Sequence, residues 1–523
     1  MISEAADLIV LGGTVHSLDD ESPAPQAFAV RGGRFEYVGS AAGAMAQCGP
    51  ATDVLDARES TVLPGFVDAH LHLTKLGLAL DGVDLTDVHS FEEAVASTAA
   101  FARNSREQWI LGRGWDENRW SDTSFPAHAA LSAAIPDRPV ALTRVDGHAL
   151  LANARAMQLA GLADSTRDPD GGRLLRDASG KLTGVLVDTA QAILYDKIPP
   201  PTHERLVEAT RAAIAECNRW GITAVAEPGC GEDVLLAHRE LIERGEYSIR
   251  NHAMLHDEPA LIEAHLRRGI VDGAHDGRLW VRSVKMYADG ALGSRGAAML
   301  EPYSDDPTNC GLILTPQPRI EAVTEHALRH GFQVCVHAIG DRGNRIVLDA
   351  FDRALRRAGS GDPRLRIEHA QVIALSDIPR FAALGVIASV QATHALSDLV
   401  WAQACLGPQR IRGAYAWRAL LDSGAPLANG TDAPVESAST PRTFLASISD
   451  SDRAMTREEA LASMTIWAAR ANFQDKVAGS ITPGKYADFV LVDRDWLRVA
   501  PDAIERTEIL ATYFSGRRVY GAV

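Results

Sequence analysis

The sequence predicts an α/β protein, a (β/α)8 TIM-type barrel that carries a small composite β-sandwich built from both termini. Three observations favour this fold. Short apolar runs alternate with helical stretches through the middle of the chain, both ends contain strands separated by glycine turns, and potential metal ligands recur within or just after the central strand runs. The strands of a parallel barrel end at one mouth, so we expect those ligands to converge there.

The terminal regions, residues 1–60 and 478–523, have the pattern of short antiparallel strands. Leu8–Leu11 and Ala27–Val30 near the start, and Ile509–Phe514 near the end, are apolar runs next to glycine-containing turns. Each region alone is too small to form a stable sheet, so we expect the two to pack into one sandwich domain. The barrel is then expected over residues 61–477.

The central strands are predicted from apolar runs with helical stretches between them. These runs are Thr61–Leu73, Gly221–Glu227, Val281–Tyr287, Gln333–His337, Leu365–His369, Val386–Gln391 and Pro426–Asp432. Two further runs, Trp109–Gly114 and Pro139–Val145, exceed the eight places of a barrel. The segment from about 105 to 200 is therefore expected to be an insertion near the second strand, of the kind that shapes a substrate pocket.

Composition and charge exclude several classes of partner. The net charge is −16, from 68 acidic and 52 basic residues, and no long basic run occurs, so we expect neither nucleic acid nor an anionic membrane as a partner. The six cysteines are dispersed without a CxxC motif, which is typical of a reducing compartment. No apolar run of membrane-spanning length and no signal-peptide pattern is present, so the expected location is cytoplasmic.

His70 and His72 lie two apart in Thr61–Leu73, a run whose pattern predicts one strand. Side chains two apart on a strand share a face, so both imidazoles are expected to point the same way. A His-x-His pair indicates zinc binding, although two ordinary polar or core histidines would give the same pattern.

The later candidates also have two interpretations each. His337 and His369 close apolar strand runs and Asp432 follows one, and each could be an ordinary core or turn residue. Lys285 lies within a strand run, where burying a lysine is costly unless it is paired or modified. The order of these residues on a β/α pattern nevertheless favours a metal site at the barrel mouth.

Taken together, these residues resemble the metal ligands of the amidohydrolase superfamily, and the resemblance covers nearly the whole chain. Further segments are similar to its amidohydrolase 3 (YtcJ-like) branch, which includes N-substituted formamide deformylase. These segments are Trp115–Glu117, Asp146–His148, Lys285–Arg295 and His337–Arg342, whereas Leu63–His72 and Gly479–Val490 belong to the resemblance to the superfamily as a whole.

The resemblance implies a binuclear centre with two divalent metal ions. Zinc is the expected metal, although such ligands also accept manganese, iron or cobalt. The implied ligands are His70, His72 and Asp432 for one ion and His337 and His369 for the other, with Lys285, carbamylated by carbon dioxide, as the bridge. Burial would favour the neutral amine, which is the form that reacts with carbon dioxide.

The implied activity is metal-dependent hydrolysis of a carbon–nitrogen bond other than a peptide bond, in an N-substituted formamide or N-acyl amine. A metal-activated hydroxide would attack the carbonyl, and Asp432 would carry the proton to the leaving nitrogen. A cyclic amide, ester or lactone hydrolase with the same binuclear site is an alternative. A catalytically inactive scaffold is another, although such proteins typically lose ligands that this chain keeps.

One position departs from neighbouring branches of the superfamily. Mononuclear cytosine- and adenosine-type deaminases carry a catalytic glutamate three residues after the histidine that corresponds to His337, and this chain has Gly340 there. The departure argues against a deaminase of that type.

The expected partner is a small-molecule substrate, and a homodimer is left open. His148, Trp115 and Tyr287 are predicted to contact the substrate, and Arg295 is predicted to bind a substrate carboxylate or the backbone. Each has an ordinary alternative as a loop, packing or surface residue.

Overall fold

The computed structural model describes residues 5–19, 21–22, 24–105, 107–145, 147, 149–169, 172–359, 361–450 and 452–522. The chain falls into two units. One consists of Met1–Leu73 together with Ala213–Val523, and the other is Thr74–Ala212.

The first unit contains a barrel of eight strands, and every neighbouring pair along the sheet is parallel. Its strands are β1 (Phe66–Asp68), β2 (Ile222–Cys230), β3 (Arg250–Leu255), β4 (Leu279–Tyr287), β5 (Gln333–Ala338), β6 (Arg366–His369), β7 (Ile387–Val390) and β8 (Leu427–Asn429). The first and last strands meet just beyond their ends, where the Ala69 N–H donates to the Asn429 carbonyl over 3.1 Å. The predicted barrel is confirmed.

Helices alternate with these strands and cover the barrel. In Asp341–Ala358 the residues Val347, Phe351 and Ala354 recur at helical spacing and are fully buried, so the sequence forms an amphipathic helix. The remaining helices of this unit are Ala41–Met45, Glu232–Glu243, Pro259–Arg268, Ala274–Gly277, Gln317–Arg329, Ile378–Leu384, Ala392–Arg410, Trp417–Asp422, Thr440–Ile448, Arg457–Ser463, Ile466–Ala471 and Pro501–Ile504. Two further helices, Leu73–Leu80 and His203–Arg219, contain the positions in the sequence at which one unit ends and the other begins.

The chain ends form the predicted sandwich. Its sheets are Arg34–Gly39, Ala27–Arg31, Leu8–Leu11 and Asp53–Asp56 in one, and Thr14–Val15, Thr61–Pro64, Phe489–Val492, Ile509–Phe514 and Arg517–Gly521 in the other. The N-terminal strand Thr61–Pro64 pairs antiparallel with the C-terminal strand Phe489–Val492. The rings of Phe28, Phe35 and Phe489 pack between the sheets, with centroids 5.1–6.4 Å apart. Neither end could build this core alone.

The second unit has its own sheet and core. The sheet order is Gly172–Arg176, Leu182–Asp188, Ala149–Ala152, Val140–Arg144, Ile110–Trp115 and Val83–Asp84, and the helices are Phe91–Asn104, Ala129–Ala134, Ala154–Leu159 and Ala192–Tyr195. The two surplus predicted strands pair with each other in this sheet, in parallel, and do not enter the barrel. The predicted domain limits, including 105–200, stay predictions.

One strand prediction was wrong, and one strand was not predicted. Thr61–Leu73 is not one strand: it forms Thr61–Pro64 of the sandwich and β1 of the barrel, so His70 and His72 lie in the loop after β1. Strand β3 was not predicted, because Arg250, Asn251 and His252 are polar although they are fully buried. A buried polar strand lacks the apolar run on which the prediction depends.

Among the described residues, no helix combines the length and the apolar character needed to cross a bilayer.

A buried ion pair joins the barrel to the sandwich and predicts a large loss of stability. The Arg250 guanidinium is fully buried and donates to the Asp488 carboxylate over 2.6 and 2.9 Å. Asp488→Asn would leave this cation without its counter-charge, so we expect the free energy of unfolding to fall by about 3–5 kcal/mol in denaturant titrations. Asp502→Asn, which removes a fully exposed partner of Arg506 (3.3 Å), is the control and should change stability by less than about 0.5 kcal/mol. Equal effects of the two substitutions would contradict this role.

Candidate metal centre

Most of the predicted ligands meet at the carboxyl ends of the barrel strands. His70 and His72 follow β1, His337 lies in β5 and His369 ends β6. Ring centroids are 5.0 Å apart for His70 and His369, 5.5 Å for His70 and His72, and 4.5 Å for His337 and His369. Residues in or just after three separate strands therefore form one imidazole cluster.

Asp432 lies beside this cluster. Its Oδ1 is 3.5 Å from His70 Nε2 and 3.3 Å from His72 Nε2, and the ligand atoms of the three residues lie within 4.8 Å of one another. The backbone of Asp432 is left-handed, with φ at 57°, and its N–H donates to the His70 carbonyl over 2.6 Å. A non-glycine residue is held in this conformation only when its surroundings require it, which is common at functional sites.

Lys285 faces the barrel interior from β4 and is 1% exposed. Its Nζ lies 4.5 Å from the centroid of the Tyr287 ring, on the same face of the strand. Burial lowers the pKa of Lys285 to about 8, against the opposing effect of Glu368 and Asp432. An appreciable fraction of this amine is therefore neutral near physiological pH, as carbamate formation requires.

A second layer of side chains orients the histidines. The Nδ1 atom of His70 bonds Glu368 Oε2 over 2.5 Å, and the carboxylate of Glu368 also accepts from the buried Arg366 guanidinium at 2.7 and 3.1 Å. The Nδ1 atom of His369 donates to Gln391 Oε1 over 2.7 Å. These bonds occupy Nδ1 and leave Nε2 of both rings available to a metal ion.

The protonation states suit metal binding. Burial and the nearby Lys285 lower the pKa of His337 to about 3, and burial together with His337 holds the pKa of His369 well below its usual range. Burial alone would raise the pKa of Asp432, but His70, His72 and His369 outweigh it and hold the pKa well below its usual value. Neutral imidazoles beside an ionised carboxylate are the forms in which these side chains ligate metals.

His394 also belongs to the cluster, although the sequence did not single it out. It lies in the first turn of Ala392–Arg410, with its ring parallel to that of His369 at 6.2 Å and its Nε2 3.8 Å from Asp432 Oδ2. The ligand atoms of His369, His394 and Asp432 lie within 4.8 Å of one another. Its position three residues after the predicted strand Val386–Gln391 was the available signal.

Two buried carboxylates hold the loops that carry the cluster. Asp68 accepts hydrogen bonds from the N–H of His70 (3.0 Å) and from both the N–H (3.1 Å) and the hydroxyl (2.7 Å) of Thr431. Asp289 accepts from the N–H groups of Ala298, Ile339 and Gly340 over 2.8–2.9 Å. Asp68 thereby joins the ends of β1 and β8, and Asp289 fixes the turn after β5.

The structure explains the glycine that replaces the deaminase glutamate. A Cβ atom at Gly340 would lie 2.0 Å from the Ala298 carbonyl oxygen, far inside van der Waals contact. No side chain fits there without a backbone shift, so this loop cannot present an acid or base from position 340.

The predicted substrate contacts are placed differently from one another. Tyr287 lies in the cluster, with its ring centroid 5.6 Å from that of His337. The Arg295 guanidinium pairs with Asp305, so its charge is already matched. Trp115 is 1% exposed in the core of the second unit and donates to the Leu142 carbonyl over 2.7 Å. This environment is that of a packing residue, the alternative to a substrate contact. His148 lies outside the described residues.

The donor set fits a divalent cation. Asp432 Oδ1 and His394 Nε2 are buried, and within the described part of the chain neither has a hydrogen-bond partner of acceptable geometry. Leaving such atoms unpaired in a protein interior is costly, and a cation between them would remove the cost. The fold and the donor set thus define a class, (β/α)8 barrels with a metal-binding cluster at the mouth.

Comparison with known proteins specifies the family. The family model described as "Amidohydrolase family" matches residues 53–520. The chain is 33% identical to Protein LONG AFTER FAR-RED 3 of Arabidopsis thaliana, over 98% of this chain and 92% of that protein. It is 30% identical to the putative amidohydrolase YtcJ of Bacillus subtilis (97% and 98% covered) and 25% identical to N-substituted formamide deformylase of Arthrobacter pascens (98% of each). The protein belongs to the amidohydrolase family, as the sequence motifs predicted.

Solved structures agree with this assignment. An uncharacterized metal-dependent hydrolase from Pyrococcus horikoshii superposes with a TM-score of 0.79 at 27% identity, covering 95% of this chain and 99% of that one. A second such hydrolase, from Pyrococcus furiosus, gives a TM-score of 0.77 at 29% identity, with 94% and 100% covered. The likeness extends through both units of the chain.

Glu368 predicts a measurable second-layer effect on metal affinity. Glu368→Gln would weaken the acceptor that orients His70, so we expect zinc affinity to fall about 10–100-fold in competition titrations with a chromophoric chelator. Thermal melting identifies the folded fraction, because the substitution also reduces the charge paired with Arg366. Glu92→Gln, on an exposed helix position, is the control. Unchanged zinc affinity in folded Glu368→Gln would rule out this positioning role.

Proposed function

We propose that this protein is a metal-dependent amidohydrolase that cleaves a carbon–nitrogen amide-type bond in a small molecule, an N-substituted formamide or N-acyl amine. The observation that carries the proposal is the convergence of His70 and His72 on the buried carboxylate of Asp432 at the barrel mouth. Membership of the amidohydrolase family supports hydrolysis, and similarity to N-substituted formamide deformylase along the chain supports the type of bond.

Two divalent cations, for which zinc is the first candidate, would be held by the cluster. The proposed ligands are His70, His72 and Asp432 for one cation and His337 and His369 for the other, with Lys285 as a bridging carbamate. Bound cations would supply Lewis acidity that activates water and polarises the substrate carbonyl. The buried, partly neutral amine of Lys285 supports the carbamate, because only the neutral form attacks carbon dioxide.

The carboxylate of Asp432 would transfer the proton from the attacking water to the leaving group. Asp432 is ionised, and one of its carboxylate oxygens would accept a proton from the attacking water. The same oxygen would return that proton to the leaving nitrogen as the C–N bond breaks. Tyr287 covers Lys285 and packs near His337, so its ring would limit the access of bulk water to the buried part of the site.

Metal content tests the binuclear centre. Protein purified with added zinc and bicarbonate should contain about two equivalents by elemental analysis. Lys285→Ala should contain clearly less, because the proposed bridge is lost, whereas Lys181→Ala, at an exposed turn, should match the wild type. A single equivalent that is unchanged in Lys285→Ala would contradict the bridging role.

Turnover of a substrate panel tests the type of bond. The panel contains N-formyl amines, N-acyl amines, cyclic amides, esters and lactones, and the metal-loaded protein is expected to release amine from the first two groups. Turnover of only esters, lactones or cyclic amides would transfer the proposal to those alternatives. No turnover of any member by protein with both metal equivalents would favour an inactive scaffold.

Asp432→Asn tests the proton transfer. The amide cannot accept the proton, so we expect kcat on the best substrate of the panel to fall by roughly 10²–10⁴-fold. Asp349→Asn, which removes a partly exposed partner of Arg380, should leave kcat unchanged. Retention of wild-type kcat in Asp432→Asn would remove this carboxylate from the mechanism.

We also propose that the protein acts on a small molecule in the cytoplasm, with neither nucleic acid nor a membrane as a partner.

A further inference from the structure

We propose that His394 is a metal ligand, and that with His369 and Asp432 it forms a binding position for a divalent cation. Asp432 would then be shared between this position and the one formed by His70 and His72. The inference deepens the proposed function by adding a ligand to its metal centre. Its argument and its test use the metal alone and require no substrate.

The two oxygens of Asp432 face different histidines. Oδ1 lies 3.5 Å from His70 Nε2 and 3.3 Å from His72 Nε2, whereas Oδ2 lies 3.8 Å from His394 Nε2. In each case the separation exceeds a good hydrogen bond but suits two ligands of one cation, since zinc–nitrogen and zinc–oxygen bonds are each about 2.0–2.2 Å. The carboxylate is therefore placed to bridge two cations, one at each oxygen.

The segment that follows β7 serves His369 and His394 together. Gln391 accepts from Nδ1 of His369 over 2.7 Å, which leaves Nε2 of His369 free. Three residues later, His394 places its ring parallel to that of His369, at 12° and 6.2 Å between centroids. One strand-to-helix turn thus orients one ligand and supplies another.

His394 Nε2 has no other partner in the described part of the chain. The side chain is 13% exposed, and Nε2 is buried without a hydrogen bond. The nearest acid on the same helix, Asp398, uses its Oδ2 to accept from the hydroxyl of Tyr415 (2.6 Å) and the amide of Gln371 (3.0 Å). A buried ring nitrogen without a partner, directed at a buried carboxylate, is better explained by a cation between them than by packing.

Compared with His394, His337 is less well placed to share a cation with the Asp432 carboxylate. Its Nε2 donates to the Gly290 carbonyl over 3.4 Å and lies 3.6 Å from Asp289 Oδ1, so its ligand atom would be Nδ1. The ligand atoms of His369, His394 and Asp432 lie within 4.8 Å of one another, as those of His70, His72 and Asp432 do. Three protein ligands with an open place for water or substrate are characteristic of catalytic zinc sites.

Cobalt titration of the chelator-treated protein tests the assignment. We expect two binding events in the wild type, and in His394→Ala and His394→Gln we expect one event weakened at least tenfold, with a changed visible spectrum of bound cobalt. His330→Ala, at an exposed helix end, is the matched control. Circular dichroism and thermal melting establish that the variants are folded, and the conservative glutamine variant replaces the alanine variant if the latter is unstable.

The outcomes separate this inference from the proposed function. Two cobalt ions bound to folded His394→Ala and His394→Gln, with wild-type affinity and spectrum, would overturn the ligand assignment. A wild type that binds fewer than two cobalt ions would also overturn it. Loss of one binding event in a protein that hydrolyses no amide would support the ligand assignment and contradict only the proposed function.

Discussion

The buried carboxylate of Asp432 is the group on which the barrel mouth depends. It stays ionised in a site from which water is largely excluded, with His70, His72, His369 and His394 around it. A buried anion is costly unless positive charge compensates it. Cations bound between Asp432 and these histidines would supply that charge, in addition to the nearby amine of Lys285.

The rest of the barrel keeps this arrangement rigid. Asp68 ties the end of β1 to the end of β8, and Glu368, balanced by Arg366, orients the first histidine. The barrel also contains buried polar side chains that contact one another. The Ser283 hydroxyl and the Gln333 amide oxygen lie 2.7 and 3.2 Å from His252 Nε2. The site therefore lies at the ends of the strands, on short segments that buried hydrogen bonds hold in place, which favours precise ligand geometry.

Much of this could be predicted from the sequence, because the barrel leaves a repeating apolar pattern and ligands recur beside it. His70, Lys285 and Asp432 each follow or interrupt such a run. Because parallel barrel strands end at one mouth, this pattern predicted that the three residues lie near one another. Strand β3 was not predicted, because its buried residues are polar and their partners are remote in sequence, as Asp488 is for Arg250. His394 was not predicted as a ligand, because it lies in the first turn of a helix, where a single histidine does not alter the hydrophobic pattern.

Side-chain partners leave little signal in the sequence. Arg295 was expected to bind a substrate carboxylate or the backbone, and its guanidinium pairs with Asp305 and donates to the Gly293 carbonyl over 3.0 Å. No periodic pattern reveals the ion pair with Asp305, ten residues away. Trp115 was expected to line a pocket but packs with Trp120 and Phe125 inside the second unit. Aromatic residues near a barrel mouth can serve either role, and only burial distinguishes them.

The central claim is that Asp432 and the histidines around it hold two cations, and anomalous diffraction at the zinc absorption edge tests it most directly. Crystals grown with zinc should show two peaks about 3.5–4 Å apart, one between Asp432 Oδ1 and the His70–His72 pair and one beside His369. Absence of any peak within bonding distance of Asp432, in crystals with zinc bound elsewhere, would contradict the account.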